Sequence, residues 1–135
     1  SIYGQAGLRR QERSSLERAV ATYPEVVIAT GGGIVMEPAT YELLLHSFFS
    51  VWLHAAPEEH FRRVMAQHDV RIATPQLQEE AMASIVAALG ARSKLYALAH
   101  AHMETTGRQV DELAGALRRL IDENVHPDFS KASAA

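Results

Sequence analysis

The chain has 135 residues and a formal net charge of −3, with 47% hydrophobic and 21% charged residues. Such values are ordinary for one soluble globular domain, or for most of one. The absence of cysteine excludes a disulfide framework, a thiolate metal site and a cysteine nucleophile, and it fits a reducing, cytoplasmic location. The mixed charges provide no basic face for nucleic acid, and no apolar run approaches the ~20 residues of a membrane span.

The first predicted elements are a helix and a strand. An amphipathic helix is expected over residues 5–23, and Pro24 ends it. Its apolar face is formed by Leu8, Leu16, Ala19, Val20 and Tyr23. The nearly all-apolar run at residues 26–29 is bounded by Pro24 and a glycine triplet. This run predicts a strand covered on both faces, as in a parallel sheet.

A helix, a strand and another helix are predicted next. Pro38 suits the first turn of a second helix, and the aromatic and β-branched run at residues 48–53 predicts a second strand that includes Trp52 in the core. Pro57, followed by two glutamates, favours the start of a third helix. Between residues 67 and 75 the apolar period is lost, so a loop is expected there.

The last third of the chain repeats the alternation. Thr74 with Pro75 can cap a helix that extends to about His100, and a third strand at residues 101–105 precedes a last helix over residues 110–121. Strands alternating with helices favour a parallel sheet with right-handed crossovers. Because three strands are few, we expect one or two more before Ser1 or from a partner chain. Residues 126–135 are expected to form a flexible tail.

The glycine triplet Gly31, Gly32 and Gly33 is the first candidate for ligand binding. Ligands of open α/β sheets bind beyond the carboxyl ends of strands, and glycines leave room for a ligand and free amides for an anion. A tight strand-to-helix turn explains the triplet equally well from position alone. The triplet is not a Walker A loop, because that motif needs a Gly-Lys pair and the sequence contains none.

Three arginines are candidates for anion binding. Arg9 can clamp a carboxylate while Glu12 orients it, Arg71 in the polar loop can close over a phosphate, and Arg92 can pair with an anionic ligand. Taken singly, each is better explained by an exposed charge.

The seven histidines are candidate metal ligands. His100 and His102 share one face of the predicted third strand. Two ligands without a third do not make a metal site, so no metal is expected.

Together these segments resemble shikimate kinases over about residues 2 to 121. Residues 8–12 match the family's Phe-Arg-x-x-Glu motif with Leu8 in place of Phe, and residues 27–35 match its strand-plus-glycines motif. Arg71 matches the Arg of the family's lid Arg-Pro, but Ile72 stands in place of the Pro. The segment from Arg92 to Tyr96 matches the family's Arg that precedes Leu-Tyr, and Glu104-Thr105 is similar to the Asp-Thr after its last strand.

The resemblance implies a fold and a set of roles. The fold is the α/β, three-layer P-loop kinase type with a parallel sheet, whose domain would cover residues 1–125. The phosphate-binding portion is expected to be absent from this chain. Arg9, Gly32, Gly33 and Arg92 would hold a shikimate-like ligand, and Arg71 would be the catalytic lid residue. ATP and Mg²⁺ would bind through an upstream phosphate loop, and no cofactor is expected from this chain alone.

A closer resemblance is to benzoate-pathway transcriptional regulators of the BoxR type, carried by residues 37–40, 57–60 and 64–71. It implies the effector-sensing domain of a regulator of aromatic catabolism, which binds benzoyl-CoA in a degenerate kinase site. Such a protein would be a homodimer and would contact DNA only through an upstream helix-turn-helix domain. The alternative is the C-terminal part of a shikimate kinase, which transfers phosphate from ATP to shikimate.

Overall fold

The computed structural model describes residues 2–68 and 74–125, and these divide into two compact units. The first unit comprises the residues up to Ser50 together with the end of the last helix from Ile121 onward. The second unit runs from Val51 to Leu120. The described residues are mostly helical with one small parallel sheet, which is consistent with the α/β kinase-like fold class.

The first unit begins with a long helix, α1, Ile2–Thr22. This confirms the predicted first helix, which ends before Pro24 as expected. Its apolar face is largely open, because only Leu16 is fully buried, at 3% exposure, while Leu8 and Tyr23 are half exposed. The amphipathic pattern therefore predicted the helix correctly, but the first unit covers only the middle of its apolar face.

A glycine turn and a second helix complete the first unit. A short 3-10 helix, Gly32–Met36, leads into α2, Pro38–Ser47, with Pro38 in the first turn as predicted. The helix α2 packs against α1 and against the 3-10 helix. The buried residues of this unit are Leu16, Ile34, Val35, Thr40 and Tyr41.

The apolar run at residues 26–29 is not a strand, so this prediction is wrong. Its residues are exposed, Val27 to 87%, and the described part of the chain provides no hydrogen-bonded partner for their backbone groups. A strand is stabilised by its neighbours, because the backbone N–H and C=O groups of an isolated extended segment form no inter-strand hydrogen bonds. Local apolar composition indicated the conformation but not the presence of a partner.

The second unit contains a two-stranded parallel sheet. Strand β1, Val51–His54, pairs with β2, Ala101–Glu104, so that Val51 lies opposite Ala101 and His54 opposite Glu104. The parallel pairing confirms the predicted parallel sheet. The strand β1 starts three residues later than predicted and includes His54, and Trp52 is half-buried, not in the core. Met103 of β2 and Thr105 just after it are buried.

Two helices lie between these strands in the sequence, and a third follows β2. They are α3, Pro57–His68, α4, Pro75–Tyr96, and α5, Val110–Asn124. The Thr74 hydroxyl accepts a hydrogen bond from Leu77 N at 3.2 Å, which confirms the predicted cap of α4. The helix α4 ends at Tyr96, not near His100, because the chain turns there and leads into β2. None of the helices in the described ranges has the length and apolar character needed to cross a membrane.

Candidate functional site

The clearest charged pair of the first unit lies on the second turn of α1. Arg9 Nη1 donates to Glu12 Oε1 at 2.6 Å, and the two side chains are only 24% and 17% exposed. Three positions apart on a helix, the two residues share one face, which is why this spacing brings them together. The bond occupies one of the five N–H groups of Arg9, so a ligand anion can still bind to the guanidinium.

The glycine turn lies directly against this pair. A Cβ on Gly33 would stand 2.9 Å from Arg9 Nη1 and 3.0 Å from Arg9 Cζ, and it would be closer still to Arg9 Nη2. A Cβ on Gly31 would only touch Glu12 Oε2 at 3.7 Å, which is an ordinary contact. A side chain at position 33 would thus require the Arg9 guanidinium to move, whereas Gly32 is exposed. The structure brings together Arg9, Glu12 and Gly33.

A cleft of about 330 Å³ opens between α1 and the segment that leads into the turn. This volume lies at the lower end of the range of small-molecule sites. Its lining consists of Leu8, Gln11, Glu12, Ser15, Leu16, Ile28, Ala29, Thr30, Gly31 and Ile34. Apolar side chains therefore alternate with hydroxyl and amide groups, and Glu12 places the edge of the cleft next to Arg9.

The start of α2 does not fit the phosphates of a nucleotide. Glu37 is the N-cap residue of α2, and its carboxylate lies 3.8 Å from Arg13 Nη1. A negative charge at this position opposes a bound phosphate, although helix N-termini generally favour one. In residues 2–68 and 74–125 no group of three or more His, Asp or Glu side chains is arranged to hold a metal ion.

The other predicted site residues lie elsewhere. Arg92 is half-buried on α4 in the second unit, and it makes no hydrogen bond or ion pair within the described ranges. Arg71 lies outside the described residues. His102 is on β2, but His100 lies in the bend before it, so the two histidines do not share a strand face as predicted.

A polar cluster at the ends of β1 and β2 was missed in the sequence. His54 Nδ1 lies 2.8 Å from Glu104 Oε2, and Glu104 Oε1 accepts hydrogen bonds from Thr106 N and Thr106 Oγ1. The bonds from Thr106 hold the pKa of Glu104 below its ordinary value of 4.5, and His54 acts in the same direction. Because the predicted second strand stopped at residue 53, His54 was not aligned with Glu104.

An aromatic cluster lies beside this pair. The ring of Trp52 stacks on Tyr96 with centroids 5.5 Å apart, and it lies 4.7 Å from the ring of His54 and 5.3 Å from that of His102. Trp52 and His54 are two residues apart on β1 and therefore share one face of the sheet.

A family model described as shikimate kinase matches residues 1–122 of this chain. The chain belongs to the shikimate kinase family. The shikimate kinase of Prochlorococcus marinus (strain MIT 9313) is 32% identical over 125 residues, which cover 92% of this chain and 62% of that relative. A shikimate kinase of Thermus thermophilus is 34% identical over 111 residues, covering 82% of this chain and 58% of the relative.

A third shikimate kinase, from Parasynechococcus marenigrum (strain WH8102), is 40% identical over 95 residues, or 70% of this chain and 47% of the relative. The chain thus spans about three fifths of the length of the first two shikimate kinases. No solved structure matches it significantly.

The family membership corrects the functional expectation. The interpretation as a benzoyl-CoA-sensing domain of a transcriptional regulator is wrong, because relatives across most of the chain are named shikimate kinase. The contact with DNA, which was expected from the similarity of residues 37–40, 57–60 and 64–71 to BoxR-type regulators, is likewise not supported. The alternative, part of a shikimate kinase, agrees with these matches.

Proposed function

We propose that the full-length protein is a shikimate kinase, and that this chain supplies the residues that hold shikimate. Shikimate is a cyclic carboxylic acid with several hydroxyl groups, one of which would receive the phosphoryl group. The observation that carries the proposal is the Arg9–Glu12 pair seated against Gly33. It combines a cation held by Glu12 with a glycine whose small size leaves room for that cation, within a chain of the shikimate kinase family.

Arg9 would bind the carboxylate of shikimate with two parallel N–H groups. Guanidinium and carboxylate are planar and complementary, so such a pair fixes orientation as well as position. Glu12 holds the side chain of Arg9 in one conformation before the ligand arrives, which lowers the entropy lost on binding. Glu12 is therefore a positioning residue, and Arg9 is the binding residue.

The cleft beside this pair would hold the ring. Ser15 and Thr30 provide hydroxyl groups and Gln11 provides an amide, and these suit the hydroxyls of a polyhydroxylated ring. Leu8 and Ile28 provide apolar surface for the ring carbons. Gly33 contributes by leaving space for Arg9, and Gly32 remains a proposed backbone contact.

Two further arginines are proposed to act on the same ligands. Arg92 has no partner within the described ranges, so its charge is available for an anionic group of the substrate. Arg71 is proposed as the lid residue that faces the transferred phosphoryl group.

ATP and Mg²⁺ remain proposed cofactors, held by residues outside the described ranges. ATP supplies the phosphoryl group when it is bound, but the start of α2 does not fit its phosphates, since Glu37 is the N-cap residue there. A phosphate loop outside this chain, a homodimer and a cytoplasmic location stay predictions.

A kinetic comparison of two neighbouring arginines tests the proposal. In the full-length protein, Arg9→Ala should raise KM for shikimate by roughly 10- to 150-fold, the equivalent of ~1.5–3 kcal/mol for a charge-assisted hydrogen bond. Arg13→Ala is the matched control, because Arg13 is half exposed on the same helix and pairs with Glu17 at 3.0 Å. A coupled assay of ATP consumption with shikimate measures both variants, and kinases typically turn over at ~1–100 per second.

The same assay can overturn the proposal. No shikimate-dependent turnover by the full-length protein would reject the kinase function. Turnover with an unchanged KM in Arg9→Ala would keep the kinase function but place the carboxylate away from Arg9. An equal rise of KM in Arg13→Ala would indicate a general loss of charge, not a specific clamp.

A further inference from the structure

One oxygen of the Glu12 carboxylate is not used in the contact with Arg9. Glu12 Oε1 accepts the hydrogen bond from Arg9 Nη1 at 2.6 Å. Glu12 Oε2 lies beside the glycine turn, because a Cβ added to Gly31 would be 3.7 Å from it. Within residues 2–68 and 74–125, Oε2 accepts no hydrogen bond. This oxygen is therefore available to a donor from a ligand.

Glu12 belongs to a row of α1 residues that faces the cleft. Leu8, Glu12 and Ser15 all line the cleft, and they have the spacing of one helix face. The segment from Ile28 to Gly31 lines the cleft as well. Glu12 and Gly31, the two residues on either side of Oε2, thus both belong to the lining. The unused oxygen is at the wall of the cleft in which the ring is proposed to bind.

A carboxylate oxygen in these surroundings needs a hydrogen-bond donor. The Glu12 side chain is only 17% exposed, and an unsatisfied acceptor that is charged and largely removed from water is costly. The neutral donors of the lining are Gln11, Ser15 and Thr30, and none of them bonds to Glu12 in the described ranges. Water satisfies such an oxygen in a cleft without ligand, so a ligand group that displaces this water must itself be a donor.

We propose that Glu12 contacts the substrate directly, and that its Oε2 accepts a hydrogen bond from one of the ring hydroxyls. The inference rests on the proposed function, and it adds a second role to the positioning of Arg9. A carboxylate that is paired with a guanidinium accepts hydrogen bonds but has no proton to donate. Glu12 therefore selects ring acids that carry a hydroxyl at this place over those that carry a hydrogen or a ketone there.

The two roles of Glu12 respond differently to a change of ligand. Loss of the positioning role weakens the hold of Arg9 on the carboxylate, which every ring acid of this class carries. Loss of the hydroxyl contact affects only those ligands that carry the hydroxyl. The ratio of the affinities for shikimate and for a deoxy analogue therefore isolates the hydroxyl contact, since the positioning role cancels in it.

Isothermal titration calorimetry of the full-length protein tests the contact with shikimate and with analogues that each lack a different hydroxyl group. The wild type should bind one analogue roughly 10- to 150-fold more weakly than shikimate, the range of a hydrogen bond to a charged group. In Glu12→Ala this difference should nearly disappear. Glu17→Ala is the matched control, because Glu17 pairs with Arg13 on the same helix and is not part of the cleft lining. It should keep the wild-type difference.

A second variant keeps the test decisive if Glu12→Ala does not fold. Glu12→Gln preserves the volume of the side chain and an acceptor for Arg9, but it removes the charge. Because a neutral hydrogen bond is about half as strong as a charge-assisted one, the difference between shikimate and that analogue should become smaller.

Three results would contradict the proposal. If both Glu12 variants weaken shikimate and every analogue by the same factor, Glu12 only positions Arg9, and the proposed function stands. If the difference disappears in Ser15→Ala and persists in the Glu12 variants, Ser15 is the residue that binds the hydroxyl. If the wild type binds neither shikimate nor any analogue, the proposed function fails and the hydroxyl contact fails with it.

Discussion

Two short apolar segments of the chain differ in conformation, since one forms a strand and the other does not. The run at residues 26–29, Val-Val-Ile-Ala, is the more apolar one, yet it is exposed and has no hydrogen-bonded neighbour in the described ranges. Strand β1, Val51–His54, contains a tryptophan and a histidine, yet it is a strand because β2 lies beside it. The contrast shows that a partner, more than local composition, decides whether such a run becomes a strand.

The same contrast holds for buried hydroxyl groups. Thr40 in the first unit is 2% exposed, and its hydroxyl has no hydrogen-bond partner among the described residues. Thr105 in the second unit is 5% exposed, and its hydroxyl donates to the carbonyl oxygen of His54. The buried threonine of the second unit is therefore hydrogen-bonded, whereas the hydroxyl of the buried threonine of the first unit is unpaired among the described residues.

The largest expected effect tests the two apolar segments. Met103→Ala removes a buried side chain of β2 and should lower the free energy of unfolding by roughly 2–5 kcal/mol. Val27→Ala should change it by less than about 0.5 kcal/mol, because Val27 is 87% exposed. Urea denaturation measures both values. Comparable losses in the two variants would show that residues 26–29 have a partner in the protein tested, and the contrast would fail.

A smaller effect is expected at the glycine turn of the first unit. Gly33→Ala places a methyl group in the space of the Arg9 guanidinium and should weaken shikimate binding roughly tenfold, or ~1.4 kcal/mol. Gly31→Ala introduces only an ordinary contact with Glu12 and serves as the control. Isothermal titration calorimetry of the full-length protein measures both affinities. Equal losses in the two variants would assign the effect to the turn as a whole and not to Arg9.

The smallest effect compares the two threonines. Thr105→Val removes a buried hydrogen bond and should lower the free energy of unfolding by roughly 0.5–1.5 kcal/mol. Thr40→Val replaces an unpaired hydroxyl with a methyl group and should be neutral or stabilising. Thermal denaturation with the same protein preparation resolves the difference. A destabilised Thr40→Val variant would mean that this hydroxyl is paired in solution.

The sequence predicted the helices better than the strands for a physical reason. Helix hydrogen bonds are local, so the prolines at 38, 57 and 75 and the cap at Thr74 mark their starts within the segment itself. Strand bonds are non-local, so residues 26–29 were predicted without knowledge of their neighbours. The parallel pairing of β1 and β2 was predicted because alternation of helices and strands constrains the direction of the strands.

The candidate site was predicted in part for the same reason. The spacing of Arg9 and Glu12 on one helix was enough to pair them. The proximity of Gly33 to Arg9, 24 residues apart in the sequence, was expected only from the family resemblance, and the opposition of His54 and Glu104 across the sheet was not predicted. The roles of Arg92 and Arg71 in ligand binding stay predictions.

The close approach of Arg9 to Gly33 couples the substitutions that positions 9 and 33 can accept during evolution. Because Gly33 is kept small by a neighbouring side chain and not by an unusual backbone angle, the constraint belongs to the pair. A lineage that shortens the side chain at position 9 releases position 33 to accept larger residues, whereas a lineage that keeps Arg9 can enlarge position 33 only by moving the guanidinium. The two positions are therefore expected to change together or not at all, each one limiting the substitutions that the other can survive.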